Sequence, residues 1–202
     1  PEEYGLLGVI IALSTLAPII MSLSLESSIG RFYHDVKRNK TQLSELFSTV
    51  FWFVFFLGLL SLFTILITAS LWTEKLLEIK PFPLVYLAFI TAFFTILSKI
   101  GATYHNQSLN TKYISTINIL SALLKTGVTL PLLMLYSFGI EAILWGHFFA
   151  AVFTASLMLY PIISNNVLSL KFKYLKLRAY LSYSVPLIAG FAFTWINSLV
   201  DR

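Results

Sequence analysis

The chain has 202 residues, of which 57% are hydrophobic and 11% charged; a soluble domain carries about 25% charged residues, so water is excluded as its main solvent. The net charge of +5 lies on residues flanking apolar runs, which points to anionic lipid headgroups and argues against nucleic acid as a partner. With no cysteine, disulfides, thiol catalysis and cysteine-held metals are excluded.

About 20 apolar residues carry a helix across the ~30 Å hydrocarbon core. Six runs of this kind make the fold class all-α, a polytopic transmembrane helix bundle. The chain opens Pro1-Glu2-Glu3-Tyr4, with no initiator Met and no basic leader, and stops at Asp201-Arg202 at the edge of an apolar run. A piece of a longer membrane protein is therefore expected. The first span, 4–25, holds Pro18 and ends near Glu26 and Arg31. These two are five apart and do not stack as an i, i+4 pair. Either could stand at a gate or at the membrane interface. A basic loop, 34–45, follows with Lys37, Arg38 and Lys40.

The second span, 46–71, leads to a short loop in which Lys75 and Lys80 are offset by Glu74 and Glu78. The third, 82–103, contains Lys99 close enough to its end for a long stem to reach headgroups. Loop 104–113 is polar, with Tyr104, Asn106, Gln107, Ser108, Asn110 and Lys112. The fourth span, 114–136, carries Lys125 near the bilayer midplane. Charge there costs roughly 2.5–3.5 kcal/mol on insertion scales, which makes Lys125 a candidate cation for an anionic substrate. An ion pair or carbonyl contacts that serve packing are the competing reading. The fifth span, 140–163, includes His147, expected to be a hydrogen-bonded packing residue. The segment 164–180 interleaves Leu170, Phe172, Tyr174, Leu175 and Leu177 with Lys171, Lys173, Lys176 and Arg178. It reads as a basic amphipathic stretch in the interface, or as an ordinary basic loop. The sixth span runs from 181 and contains Pro186. Prolines at 18, 131, 161 and 186 fall inside spans, where each removes a backbone hydrogen bond.

Arg31, Lys37, Arg38, Lys40, Lys112, Lys171, Lys173, Lys176 and Arg178 share one side, nine cations against Lys75 and Lys80 on the other. The positive-inside rule then makes loops 34–45, 104–113 and 164–178 cytoplasmic. The glycines form no phosphate-cradling loop. His34, His105 and His147 make no i, i+4 metal pair. No Ser/His/Asp constellation is suggested, so no catalytic residue, metal or cofactor is expected. The sequons at Asn39 and Asn106 lie on the side expected to be cytoplasmic. Trp72, Trp145 and Trp195 fit an interfacial aromatic belt.

Three motifs carry a resemblance. Pro1-Glu2-Glu3-Tyr4-Gly5 resembles the "GPEEYG" turn of bacterial polysaccharide-biosynthesis membrane proteins, the oligosaccharide flippases of O-antigen and capsule pathways. The stretch from Leu25 to Tyr33, ending Arg31-Phe32-Tyr33, is similar to that family's "RFY" segment after its second helix. Tyr183-Ser184-Val185-Pro186-Leu187-Ile188, with Trp195-Ile196-Asn197 and Asp201-Arg202, resembles its seventh helix. The resemblance implies helices two to seven of a two-lobed transporter of 12–14 helices. Residues 1–163 would belong to the N-terminal lobe, 164–180 to an inter-lobe linker and 181–202 to the first helix of the second lobe. The expected cargo is an undecaprenyl-diphosphate-linked oligosaccharide, moved to the outer leaflet of the bacterial inner membrane by alternating access. Anionic lipids and glycan-assembly membrane proteins are further expected partners, and a monomer is expected. Substrate-binding candidates on physical grounds are Lys125, Arg31, Asp201 and Arg202. Two rivals are a cation-coupled drug exporter of the same superfamily, disfavoured by the few in-span carboxylates, and a membrane-embedded glycan polymerase or transferase, for which His34 and Asp35 are the nearest pair.

Overall fold

The computed structural model describes residues 2–76, 82–136, 138–170 and 172–200. Every element among them is helical: α1 Glu2–Ser22, α2 Glu26–Val36, α3 Lys40–Leu76, α4 Leu84–Gln107, α5 Thr111–Tyr136, α6 Ile140–Ser164 and α7 Tyr174–Val200. Six of them are long and apolar enough to cross a membrane, and the seventh, α2, is short. The α1–α2, α4–α5 and α6–α7 connections share one end of the bundle, called here the basic end.

The first expected span breaks early. The run 4–25 is continuous in hydropathy, but Leu23 (φ 51°) and Ser24 (φ 55°) are both left-handed. Neither is glycine, so each pays a steric cost that only tertiary packing repays. The Ser22 hydroxyl helps: it donates to the Pro18 carbonyl at 2.8 Å and accepts from the Ser24 N–H at 3.1 Å. The chain then turns into α2, whose Ser28, Ile29 and Tyr33 are buried while Arg31 and Asp35 face out.

Helix α4 is the hub. Over half of its span is buried within the bundle (56%), against 6% for α5. Phe89, Phe93, Ile96 and Ile100 of α4 share one core cluster with Phe47, Val50, Phe51 and Val54 of α3, Met21 of α1, Leu25 at the break and Ile29 of α2. Two close approaches rest on small residues. A Cβ on Gly101 would stand 2.5–2.6 Å from the Met158 backbone of α6, and one on Gly146 would stand 2.8 Å from the Lys125 carbonyl of α5. Lipid supplies no hydrophobic drive between helices, so such contacts carry the association. The exposed faces of α3 and α5, with Phe56, Phe63, Leu123 and Leu130, are the apolar surface that a bilayer covers.

At 37 residues α3 is about 55 Å long, well over the ~30 Å apolar core. Its first turns extend past the basic end and receive the α6–α7 connection. Ser48 accepts from the Ser169 N–H (2.7 Å), the Trp52 indole donates to the Ser169 carbonyl (2.9 Å), and Thr49 accepts from the Lys173 N–H (3.2 Å). Glu45 pairs with Lys176 at 2.6 Å and with Lys173 at 3.8 Å. The amphipathic stretch expected over 164–180 is therefore two things. Residues 165–170 and 172–173 are an irregular strap seated on α3, and the remainder is the opening of α7, which begins at Tyr174.

Glu45 is mostly buried and both lysines are half-exposed, so the cluster contributes about 1 kcal/mol after solvent screening. Glu45→Gln should therefore speed tryptic cleavage after Lys173 and Lys176 by about threefold to tenfold. An unchanged cleavage rate in purified protein would show that the charges do not hold the strap.

Candidate functional site

On α4, Leu87, Thr91, Thr95 and Lys99 recur every four residues and share one face. The hydroxyls of Thr91 and Thr95 donate back to the Leu87 and Thr91 carbonyls at 2.6 and 2.9 Å. Opposite, on α1, Ser14 and Thr15 donate to Ile11 and Ala12 at 2.8 and 2.9 Å. Pro18 has no N–H, which leaves the Ser14 carbonyl without its helical donor. Thr91, Thr95 and Lys99 of α4, Ser14, Thr15 and Pro18 of α1, and Leu144 and His147 of α6 line a cavity of about 400 Å³. That is within the usual size range of ligand sites, roughly 300–1,000 Å³.

A second cavity of about 240 Å³ adjoins it toward the basic end, lined by Ser24 and Glu26 at the α1–α2 break and by Phe191, Thr194 and Trp195 of α7. Thr15 and Lys99 line both cavities. Lys99 is therefore shared by two adjoining cavities, whose mostly apolar walls carry a few hydroxyls. It lies fifteen residues into α4, about 22 Å from the Leu84 end. Among the described residues it makes no ion pair. Lys99 is an exposed residue that lines both cavities. The cleft has a cation in the middle, hydroxyls along both walls, a carboxylate at one end and an imidazole at the other. It suits a polar, anionic group that must remain hydrated or hydrogen-bonded inside the membrane.

The residues singled out from sequence are dispersed. Lys125 is half-buried on α5 and lines neither cavity. It lies within electrostatic reach of His147, which does line the larger one. Arg31 is exposed on α2, pairs with Asp35 at 3.3 Å and holds its guanidinium 5.5 Å from the Phe32 ring centre. Asp201 and Arg202 lie outside the described residues. The Trp195 indole donates to the Ala12 carbonyl and to the Thr15 hydroxyl, both at 3.1 Å.

Sequence reasoning missed the cleft-facing roles of Ser24, Glu26, Thr91 and Thr95. For the last two, the four-residue spacing to Lys99 was the signal. It also missed His105, which is buried with its ring 4.4 Å from that of Tyr113, beside a second polar hollow of about 400 Å³ at the basic end. Among the described residues no group of three or more His, Asp or Glu side chains is placed to hold a metal ion.

A family model described as polysaccharide biosynthesis protein matches residues 1–202. No curated protein and no solved structure matches the chain.

Proposed function

We propose a function from one premise, that the chain belongs to the polysaccharide biosynthesis protein family along its whole length: it is part of a flippase that carries a lipid-linked oligosaccharide across the bilayer. The observation that supports this is the cleft around Lys99. An uncompensated lysine inside a span is expensive, and its usual use is to meet an anion in a water-filled cavity. A polyprenyl diphosphate headgroup is such an anion, and the hydroxyl-lined walls suit its sugars. The tail would stay in lipid against the exposed apolar faces.

In this reading 1–163 belong to one lobe, the strap and the start of α7 link the lobes, and α7 opens the second. Rocking of the lobes gives alternating access. The basic end is cytoplasmic by the positive-inside rule, in the bacterial inner membrane. Arg31 sits at that face and meets anionic headgroups. Lys125 of α5, and Asp201 and Arg202 on the second lobe, stay candidates. Among the described residues the pair that would serve a polymerase or transferase is otherwise engaged: His34 and Asp35 are exposed on α2, the former against Lys37 and the latter paired with Arg31.

The test is a leaflet assay in bacteria depleted of the intact protein. Lipid-linked oligosaccharide should accumulate where only a cytoplasmic-face probe reaches it, with synthesis of the precursor unchanged. Loss of the precursor itself would point to a biosynthetic enzyme.

A further inference from the structure

Beside the strap, α3 carries an apolar groove of about 350 Å³, lined by Trp52, Phe53, Phe56, Leu57 and Leu60 together with Phe172 of the strap. The one polar group on these side chains is the Trp52 indole N–H, and it is taken by the Ser169 carbonyl at 2.9 Å. The groove therefore offers an occupant no hydrogen bond and suits hydrocarbon. From Trp52 to Leu60 it runs about 12 Å along the helix, most of the ~15 Å hydrocarbon depth of one leaflet.

The strap end of the groove is cationic. Phe172 is followed by Lys173, whose N–H donates to the Thr49 hydroxyl at 3.2 Å, four residues before Phe53. The ammonium groups of Lys173 and Lys176 lie 3.8 and 2.6 Å from Glu45. Among the described residues, two cations share one carboxylate there, which leaves one positive charge over. Lys173 is the more loosely held of the two, and its side chain is 53% exposed.

We propose that the groove and Lys173 form a site for one anionic phospholipid of the leaflet at the basic end. One acyl chain lies along Trp52, Phe56 and Leu60 against Phe172, and the phosphate meets the Lys173 ammonium. A zwitterionic lipid brings its own cation to the same lysines and gains less. A second helix fits the groove poorly, because Trp, Phe and Leu side chains hold a neighbouring backbone away where membrane helices that associate use small residues. The site is built from two segments, α3 and the strap, which hydrogen bonds hold in register. The lipid therefore binds the seated strap and favours that state by its differential affinity. This goes beyond the flippase reading and rests only on a membrane location. The binding test needs no glycan, so the two fail separately.

Trp52 lines the groove and reports on it. The intact protein, with its other tryptophans changed to Phe, is placed in phosphatidylcholine vesicles that carry a minor fraction of phospholipid with brominated chains, which quench an indole on contact. Brominated phosphatidylglycerol should quench Trp52 about threefold or more better than the same fraction of brominated phosphatidylcholine, since one lysine near the surface favours an anionic lipid by about fivefold. Lys173→Ala should remove most of that preference, and Lys173→Arg, which keeps the charge, should retain it. Lys112→Ala takes an exposed cation from the same end of the bundle but not from the groove, and should leave the preference intact. Native mass spectrometry of the protein with all its tryptophans guards against damage from their replacement. One phosphatidylglycerol should stay bound through detergent washing, and be lost in Lys173→Ala and in Phe172→Ala. Equal quenching by the two lipids, an equal loss of preference in Lys112→Ala, or a Trp52 that neither lipid quenches because protein covers it would each overturn the site.

Discussion

Lys99→Ala, made in the intact protein, is expected to lower surface polysaccharide about tenfold or more while its amount in the membrane holds steady or rises. The two halves of that result come from the same fact. A lysine within a span costs roughly 2.5–3.5 kcal/mol to insert, and Lys99 recovers none of it through an ion pair among the described residues. Removing it should therefore not harm folding. Removing a charge that meets a desolvated anion costs about 2–5 kcal/mol, or a factor of about thirty and upward. Lys99→Arg, which keeps the charge in the cleft, should retain most export. A fall in protein level that matches the fall in glycan would make Lys99 a packing residue and remove the main support for the cleft.

Gly101→Ala should be the most damaging single methyl in the chain. Its Cβ would meet the carbonyl carbon, the oxygen and the Cβ of Met158 at 2.5–2.6 Å. These are backbone or backbone-adjacent atoms and cannot rotate away, so α4 and α6 must part along their contact. Overpacking of this kind costs typically about 1–3 kcal/mol, and α4 is the helix around which the rest are arranged. The melting temperature in detergent should drop by several degrees. Gly127→Ala on α5 is the control: nothing lies within 4 Å of its Cβ. It should be neutral or slightly stabilising, because alanine favours helix by up to about 1 kcal/mol over glycine. Equal melting temperatures for the two variants would mean that the α4–α6 contact is looser than its geometry indicates.

Hydropathy made the spans legible because a bilayer demands length and apolarity from each helix, and both are local properties. It placed α4, α5 and α6 to within a few residues. It could not find the break at Leu23–Ser24, since no glycine or proline marks it and the surrounding run stays apolar. The strap was hidden for another reason: Glu45 and Lys176 are 131 residues apart, and nothing in either segment announces the other. The two in-span lysines show the limit most clearly. Depth along a helix can be counted from sequence, and on depth Lys125 outranks Lys99. Which way a side chain faces around the helix axis depends on the neighbours. The structure turns Lys99 into the cleft and puts Lys125 on α5, the helix with the least buried span.

The seated strap has a mechanical consequence for α7. The helix is clamped near Lys176 by Glu45, and beside it by the ring of Tyr180, 5.1 Å from that of Phe32. Trp195 lies nineteen residues further on, about 28 Å along the axis. Pinned at one end, α7 is a lever whose fulcrum is the strap. A tilt of about 10° at the fulcrum sweeps Trp195 through about 5 Å, enough to break both of its 3.1 Å bonds to α1. The smaller cavity would then open sideways between α1 and α7, as a seam into the bilayer at the level of Lys99. In the proposed flippase, that seam is the route for a headgroup whose lipid tail never leaves the membrane.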